Sequence, residues 1–221
     1  MYSLLNIFSI WLFFQLNSYF YVIFFDAMYT YQIIIGNEIN SFINEIARLR
    51  IDVFREFPYL YDGDIASEEV YLSKFSEVKE ASVVLVIEAS KVIGAFTGLP
   101  MAFEEASIQG YIPKENLSTA YYFSEIVLNK DYRNQGIGLK MFDMLEEYVL
   151  SLQKYTVFYL ATVNRTEDHP SKPINYKSLD SYWRNKGYQK TGVNCFLIWK
   201  EVNEEVASEK SLTIWEKKIV F

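Results

Sequence analysis

From residue 38 to 57, apolar side chains recur at Ile39, Phe42, Ile43, Ile46, Leu49, Val53 and Phe54. This spacing of three and four predicts an amphipathic helix stopped by Pro58. Before it, 29–35 alternates and then runs apolar up to Gly36-Asn37, the pattern of a short strand. The loop 59–64 leads to a second predicted helix near 67–78, with Asp64 or Ser67 placed to cap it. Residues 83–87 and 92–99 are rich in β-branched and apolar residues around Glu88-Ala89-Ser90-Lys91, which predicts an antiparallel hairpin. A polar connector with Gly110 and Pro113 follows. Residues 121–128 then predict a third strong strand, a glycine turn, and an amphipathic helix over 138–152. Beyond it come a strand at 156–163, a polar loop at 164–173 and a helix near 176–186 closed by Gly187. Final strands are expected at 196–199 and 212–215. Strands and helices interspersed in this way specify an α/β (α+β) class domain over residues 28–221, with a mixed sheet flanked by helices.

The start of the chain does not fit that pattern. Residues 1–25 carry no charged side chain, and 4–25 is nearly long and apolar enough to cross a bilayer as a helix. Asn6, Gln15 and Asn17 interrupt the run, and no Lys or Arg precedes Arg48 to orient it. It also lacks the basic start of a secretory signal. We expect residues 1–27 to form a separate apolar extension, lying upstream of a start at Met28. A membrane anchor and a packed accessory helix are the other two readings. The domain is expected in the cytoplasm, or at a membrane if the extension tethers it.

Charge and composition narrow the chemistry. A net charge of −7 without a Lys/Arg stripe opposes binding to a phosphate backbone, so nucleic acid is not an expected partner. The single cysteine, Cys195, excludes a disulfide within the chain and fits a reducing compartment. With His169 as the single histidine, no His/Cys cluster exists to hold zinc, and no metal is expected.

The strongest chemical signal is Asp131-Tyr132-Arg133-Asn134-Gln135-Gly136-Ile137-Gly138-Leu139-Lys140-Met141. It joins a strand to a helix whose apolar face is Ile137, Met141, Leu145, Tyr148 and Leu152. Such a turn aims unpaired backbone N–H groups and the positive helix end at one point, where an anion fits. Gly136 and Gly138 remove side chains that would keep a pyrophosphate away. A bare Gly-x-Gly also occurs in ordinary turns. A Walker loop is absent, and a dinucleotide fingerprint would need a small residue where Met141 stands.

The longer pattern is an apolar strand ending Ile126-Val127-Leu128, then Tyr132-Arg133-x-x-Gly136-Ile137-Gly138. It resembles motif A of the GNAT superfamily of N-acetyltransferases, and the order of elements agrees over about residues 29–200. The resemblance implies a GNAT-like, mostly antiparallel central sheet, acetyl-CoA as cosubstrate and an amine acceptor. The implied reaction is acetylation of a primary amine on a small molecule or peptide, by direct attack. By the same resemblance, the backbone of Ile126, Val127 and Leu128 would hydrogen-bond the pantetheine arm. The amides of Asn134, Gln135, Gly136, Ile137, Gly138 and Leu139 would cradle the pyrophosphate, with Arg133 at the motif's Arg/Gln position. Tyr182-Trp183-Arg184-Asn185-Lys186-Gly187-Tyr188 is similar to the family's Phe-Tyr-Glu-Lys-x-Gly-Phe element near the thioester. Trp183 stands where the family often has a tyrosine that protonates the departing thiolate, and an indole N–H does not release a proton near neutrality. A catalytically silent acyl-CoA sensor of the same fold is therefore the second reading. The assembly stays open between a monomer and a homodimer.

Catalytic candidates follow from the reaction. Glu125 is an acidic residue inside an apolar strand, where burial would make it a general base, although an outward solvated position explains it equally. Tyr182 is the nearest phenol to the missing acid, with Tyr176 and Tyr188 in the same stretch, and a core or wall aromatic is the alternative role for each. His169 titrates near neutrality but lies in a loop. Cys195 reads as a small buried hydrophobe. For the acceptor, Tyr59, Tyr61, Asp62 and Asp64 offer carboxylates beside aromatics that could hold a cationic amine, or simply a solvated turn around Gly63.

Overall fold

The computed structural model describes residues 10–16, 19–25 and 28–221. Strands β1 (Ile10–Leu16) and β2 (Tyr19–Phe25) pair as a hairpin, and β2 continues onto β3 (Thr30–Ile35). The membrane helix and the accessory helix considered for 4–25 are therefore not found over 10–16 and 19–25; the rest of that stretch lies outside the described residues. Tyr, Phe, Ile, Val and Trp fill both strands, and these side chains suit a pleated surface better than a helix. Among the described residues no helix is long and apolar enough to cross a membrane.

A seven-residue 3-10 segment, Gly36–Phe42, leads into α1 (Ile43–Phe54), and α2 (Ile65–Glu77) follows. Then come β4 (Ser82–Glu88), β5 (Lys91–Pro100), the short α3 (Ala106–Gln109), β6 (Ala120–Leu128) and α4 (Ile137–Ser151). The chain closes with β7 (Val157–Val163), α5 (Asp180–Asn185), β8 (Gln189–Trp199) and β9 (Ser208–Lys218). The sheet order among the described residues is β1-β2-β3-β4-β5-β6-β7-β9-β8. Every neighbouring pair is antiparallel except β6 and β7.

Alternation along the strands divides the core in two. Val83, Leu85, Ala95, Tyr122 and Val127 join Ile46, Leu49, Leu72 and Phe75 under α1 and α2. Val84, Val86, Phe96, Tyr121 and Phe123 join Met141, Phe142, Leu145, Trp183 and Trp215 under α4 and α5. The central strands are covered on both faces, which is why 83–86 reads as an unbroken apolar run.

Three expectations need correction. The single helix over 38–57 is split, because Asn40 and Ser41 favour local turns over helix interior and hold the first part as 3-10. The helix expected at 176–186 contracts to α5, whose start is set by Ser178: its hydroxyl accepts from Asp180 N (3.1 Å) and donates to Asp180 Oδ1 (2.8 Å). The last two strands run eleven residues each rather than four, since β8 is an edge strand whose exposed polar side chains mask its pattern. Asp64, one of the two expected caps, is the N-cap of α2 and accepts from Ser67 N at 3.0 Å.

Candidate active site

The parallel pairing of β6 with β7 covers three residue pairs, Ala120 with Val157, Tyr121 with Phe158 and Tyr122 with Tyr159, and then stops. β6 remains paired to β5 as far as Leu128, while β7 stays with β9 as far as Val163. The sheet thus opens along one seam, and the β7-facing backbone edge of 123–128 is left free for another partner. Ile126 and Leu128 face that edge, with the Leu128 carbonyl held by Arg133, while Val127 between them pairs with Ala95 of β5.

A β-bulge sits at the mouth of this seam. Opposite β5, Thr97 pairs with Glu125 and Gly98 with Phe123, so Ser124 is the extra residue. Gly98 is required there, because a Cβ would stand 2.7 Å from Tyr121 Cε1 and 3.0 Å from Tyr122 O. The bulge resets the strand's parity. Strict alternation from Tyr122 would send Glu125 into the α4 side with Phe123; instead it joins Tyr122 on the side of α1 and α2.

There Glu125 meets Arg50 of α1, which ion-pairs both with it and with Glu68 of α2. Tyr71 Oη donates to Glu125 Oε1 (3.2 Å), and Thr97 Oγ1 donates to Oε2 (3.4 Å). Tyr61 donates to Glu68. The guanidinium lies over the rings of Tyr71 and Phe54, at 4.5 and 5.0 Å from their centroids. The side chains of Arg50, Glu68 and Glu125 are 8%, 3% and 16% exposed, so Glu125 is the most accessible member. One cation between two carboxylates leaves the trio net negative. Burial, chiefly, raises the phenol of Tyr59 to about 12 and those of Tyr61 and Tyr71 higher still. These hydroxyls stay protonated and act as donors.

The loop 55–64 is fixed to the far end of the sheet. Arg165 donates from Nε to Pro58 O (2.6 Å) and from Nη2 to Tyr59 O (3.0 Å), and Trp199 Nε1 donates to Tyr59 O (3.1 Å). Tyr59 packs on Phe54 and Trp199. Of the four residues expected to form an acceptor wall, Tyr59 and Tyr61 adjoin the Arg50 cluster. The two aspartates are committed elsewhere: Asp62 to Lys200 and Arg55 at 2.9 and 3.1 Å, and Asp64 to the cap of α2. Lysine and serine partners respectively hold both carboxyls below their ordinary range.

Beyond the C-terminal end of β6, Gly136 (φ 79°) is the N-cap of α4, and no side chain caps this helix. The N–H groups of Ile137, Gly138 and Leu139 therefore have no partner within the helix. Asn134 is also left-handed (φ 62°), which curls the preceding amides around the same point. A Cβ at Gly136 would meet nothing within 4 Å, and one at Gly138 only Ile126 Cδ1 at 3.8 Å, so space for a ligand lies over both. Arg133 donates to Leu128 O (3.1 Å) and pairs with Glu56 (2.6 Å), bridging the loop to the end of α1. Gln135 accepts from Tyr29 (3.0 Å).

An open seam lined by free backbone, running into an uncapped helix start, is the geometry the sequence resemblance implies for an acyl-CoA. The model of the acetyltransferase (GNAT) family matches residues 45–173, well over half of the chain. The chain belongs to the GNAT acetyltransferase family. Its fold is shared with a ribosomal-protein-alanine N-acetyltransferase from Brucella melitensis (13% identity, TM-score 0.56, covering 85% of this chain and 99% of that one). Arabidopsis thaliana NAA60, in complex with a bisubstrate analogue, is 11% identical with a TM-score of 0.56, over 86% and 99% of the two chains. A Salmonella typhimurium protein described as an acetyltransferase, with its cofactor acetyl-CoA, is 8% identical with a TM-score of 0.55, over 86% and 94%. No curated protein matches the chain in sequence.

The remaining residues of this GNAT domain fall outside the Arg50 cluster. Tyr182 packs edge-on against Phe142 of α4, and its buried hydroxyl finds no hydrogen-bond partner. Burial, then the charges of Asp143 and Glu146, raise this phenol well above its usual range, which makes it a reluctant proton donor. Trp183 is buried among Phe142, Tyr182 and Tyr188, with an unpartnered Nε1. Tyr188 donates to Glu146 (3.2 Å), and Tyr176 packs on Phe57. His169 also packs against Phe57, and its Nδ1 accepts from Ser171 N (3.1 Å), so it stands over the loop 55–64 instead of among the partners of Glu125. Cys195 is fully buried, and burial pushes its thiol up to about 11, as befits a core hydrophobe. Among the described residues no group of His, Cys, Asp or Glu is arranged to hold a metal.

Three residues of the cluster escaped the sequence reading: Arg50, Glu68 and Tyr71. The signal for Arg50 is a cation inside the buried stripe of α1, between Leu49 and Val53. A third acid, Glu104, lies close enough for its charge to act on Tyr71 and Tyr122. Its Oε2 is buried without a partner, and burial raises the carboxyl from 4.5 to about 7. Because the folded state holds this proton more tightly than the unfolded chain, its burial costs nothing below pH 4.5. The cost grows between pH 4.5 and 7 and is complete above 7. Glu104→Gln is thus expected to stabilise the protein by about 3 kcal/mol at pH 8 and by far less at pH 4. Thermal unfolding at the two pH values checks this, and equal shifts in Tm would contradict it.

Proposed function

We propose that this protein transfers the acetyl group of acetyl-CoA to a primary amine of a small molecule or peptide, by direct attack in a ternary complex. The observation that supports the reading is the double asymmetry of one strand, β6, which has an open edge and a bulge that turns Glu125. Its free edge and the uncapped α4 suit the acyl-CoA, while its bulge turns Glu125 toward the opposite, acceptor side. Ile126 to Leu128 would bond the pantetheine arm, and the amides of Asn134 to Leu139 the pyrophosphate. Arg133 adds charge at the rim.

In the reaction, an acceptor ammonium approaches a cluster that lacks one positive charge and is bordered by Tyr59 and Tyr61. Glu125 takes a proton from it, directly or through one water, leaving a nitrogen lone pair. That nitrogen attacks the thioester carbonyl carbon, and the oxyanion formed is stabilised by a backbone N–H near Leu128. The adduct nitrogen gives its second proton to water, the C–S bond breaks, the carbonyl re-forms as an amide, and CoA leaves as a thiolate. Tyr182 keeps its proton in this scheme, and His169 packs on Phe57 away from the partners of Glu125, so the thiolate takes its proton from water. Trp183, lacking an acidic hydroxyl, is consistent with a leaving group that needs no side-chain acid.

The kinds of amine acted on by the structurally similar proteins, by their names, include a ribosomal-protein alanine and an aminoglycoside, and one similar structure holds acetyl-CoA. Incubating the purified chain with acetyl-CoA and a panel of amino acids, polyamines, aminoglycosides and peptides tests the proposal. Release of free CoA matched by acetylated amine is expected for at least one acceptor. Binding of acetyl-CoA with no release for any amine would replace this reading with the sensor, and absence of binding would overturn both.

A further inference from the structure

Glu68 takes no part in the reaction written above, yet it is the most deeply buried carboxylate of the cluster. Burying a second acid beside the first is costly unless its charge is compensated. Here one guanidinium compensates two carboxylates from different elements, Nε facing Glu68 on α2 and Nη1 facing Glu125 on β6. The guanidinium of Arg50 also packs over Phe54 and Tyr71, contacts that favour its position between the two partners.

We propose that Glu68 is a positioning residue for the reaction: by competing for Arg50, it keeps Glu125 fixed in place but only partly neutralised, and therefore able to accept the acceptor's proton. The proposal rests on the reading of Glu125 as the base. Paired with Arg50 alone, Glu125 would be a tight ion pair and a poor base; without Arg50 it would be a buried, unpositioned acid. The groups that face it are Arg50 from α1, Tyr71 from α2 and Thr97 from β5, with Glu68 acting through Arg50 and Glu104 through Tyr71. Tyr61 acts one step further out, because its hydroxyl competes with Arg50 for Glu68.

Two substitutions push this balance in opposite directions. Glu68→Gln is isosteric and retains an acceptor, but it returns the whole charge of Arg50 to Glu125. The acidic limb of the kcat/KM profile for the amine should move down by about one pH unit, and the plateau should fall about tenfold. Tyr61→Phe leaves Glu68 drawing harder on Arg50 and should move the limb up. Glu68→Asp, which restores the charge, should bring the limb back toward wild type. If Glu68 only holds the fold, Tm falls while both limbs stay in place, and the proposal is overturned. Should Glu68→Gln fail to fold, an unmoved limb in Tyr61→Phe has the same force. Glu125→Gln separates the two ideas. If that variant retains the limb, the base reading falls and this proposal with it; if it loses the limb while Glu68→Gln does not move it, only the role of Glu68 falls.

Discussion

Glu125→Gln should lower kcat/KM for the amine about 10²- to 10³-fold while leaving acetyl-CoA binding unchanged, the range expected when a positioned general base is removed. The substitution preserves shape and an acceptor oxygen for Tyr71 or Thr97. It also changes the charge of the cluster from net −1 to neutral, with Arg50 still paired to Glu68. The fold therefore has no reason to fail. A further signature distinguishes lost proton transfer from lost packing. As the pH rises toward the amine's own value, near 10 for an alkyl ammonium, the acceptor arrives already neutral and the deficit should shrink. Steady-state rates between pH 6 and 10, alongside a direct acetyl-CoA titration, provide the check. A deficit that stays constant over that range would remove Glu125 from proton transfer.

Gly138→Asp should weaken acetyl-CoA binding by at least about 100-fold without destabilising the free protein. The two glycines of the motif differ in what they demand. Gly136 sits at φ 79°, so any side chain there strains the backbone before charge is considered. Gly138 has no such constraint, and a Cβ would make an ordinary contact with Ile126. A carboxylate in the first turn of α4 faces the positive helix end, worth about 0.3 to 1 kcal/mol to the ligand-free fold. The same carboxylate would occupy and repel the place reserved for a pyrophosphate. Equal or raised Tm with lost binding is the expected pair of results, and Gly138→Ala should lose much less. If the Asp variant binds acetyl-CoA as the wild type does, the anion lies elsewhere.

The proposed acyl-CoA half of the site is local in sequence. Residues 126–139 run from the strand edge through the turn into the helix, and backbone groups would do the recognition, so spacing alone points to them. The acceptor half is assembled from α1, α2, β5 and β6, and no spacing joins Arg50, Glu68, Thr97 and Glu125. Asp62 and Asp64 look more available in the sequence than they are, because cap and ion-pair partners are supplied by Ser67, Arg55 and Lys200. Tyr182 is a similar case: a phenol in the right stretch, but one whose neighbours on α4 oppose release of its proton.

By itself, then, the sequence determined the order of elements over residues 29–200, the α/β class, the glycine turn and the family. These follow from periodicity, turn chemistry and a contiguous motif. The tertiary structure decided which way Glu125 points. Alternation gives a strand two faces but is blind to an extra residue, and the pairing of β6 with β5 inserts Ser124 and moves Glu125 from one face to the other. The same holds for the charges: Arg50 and Glu68 read as two residues eighteen apart, and become one cluster only when α1, α2 and β6 meet. It also decided where the sheet opens, since β7 leaves β6 to follow β9, a pairing between residues about fifty to sixty positions apart.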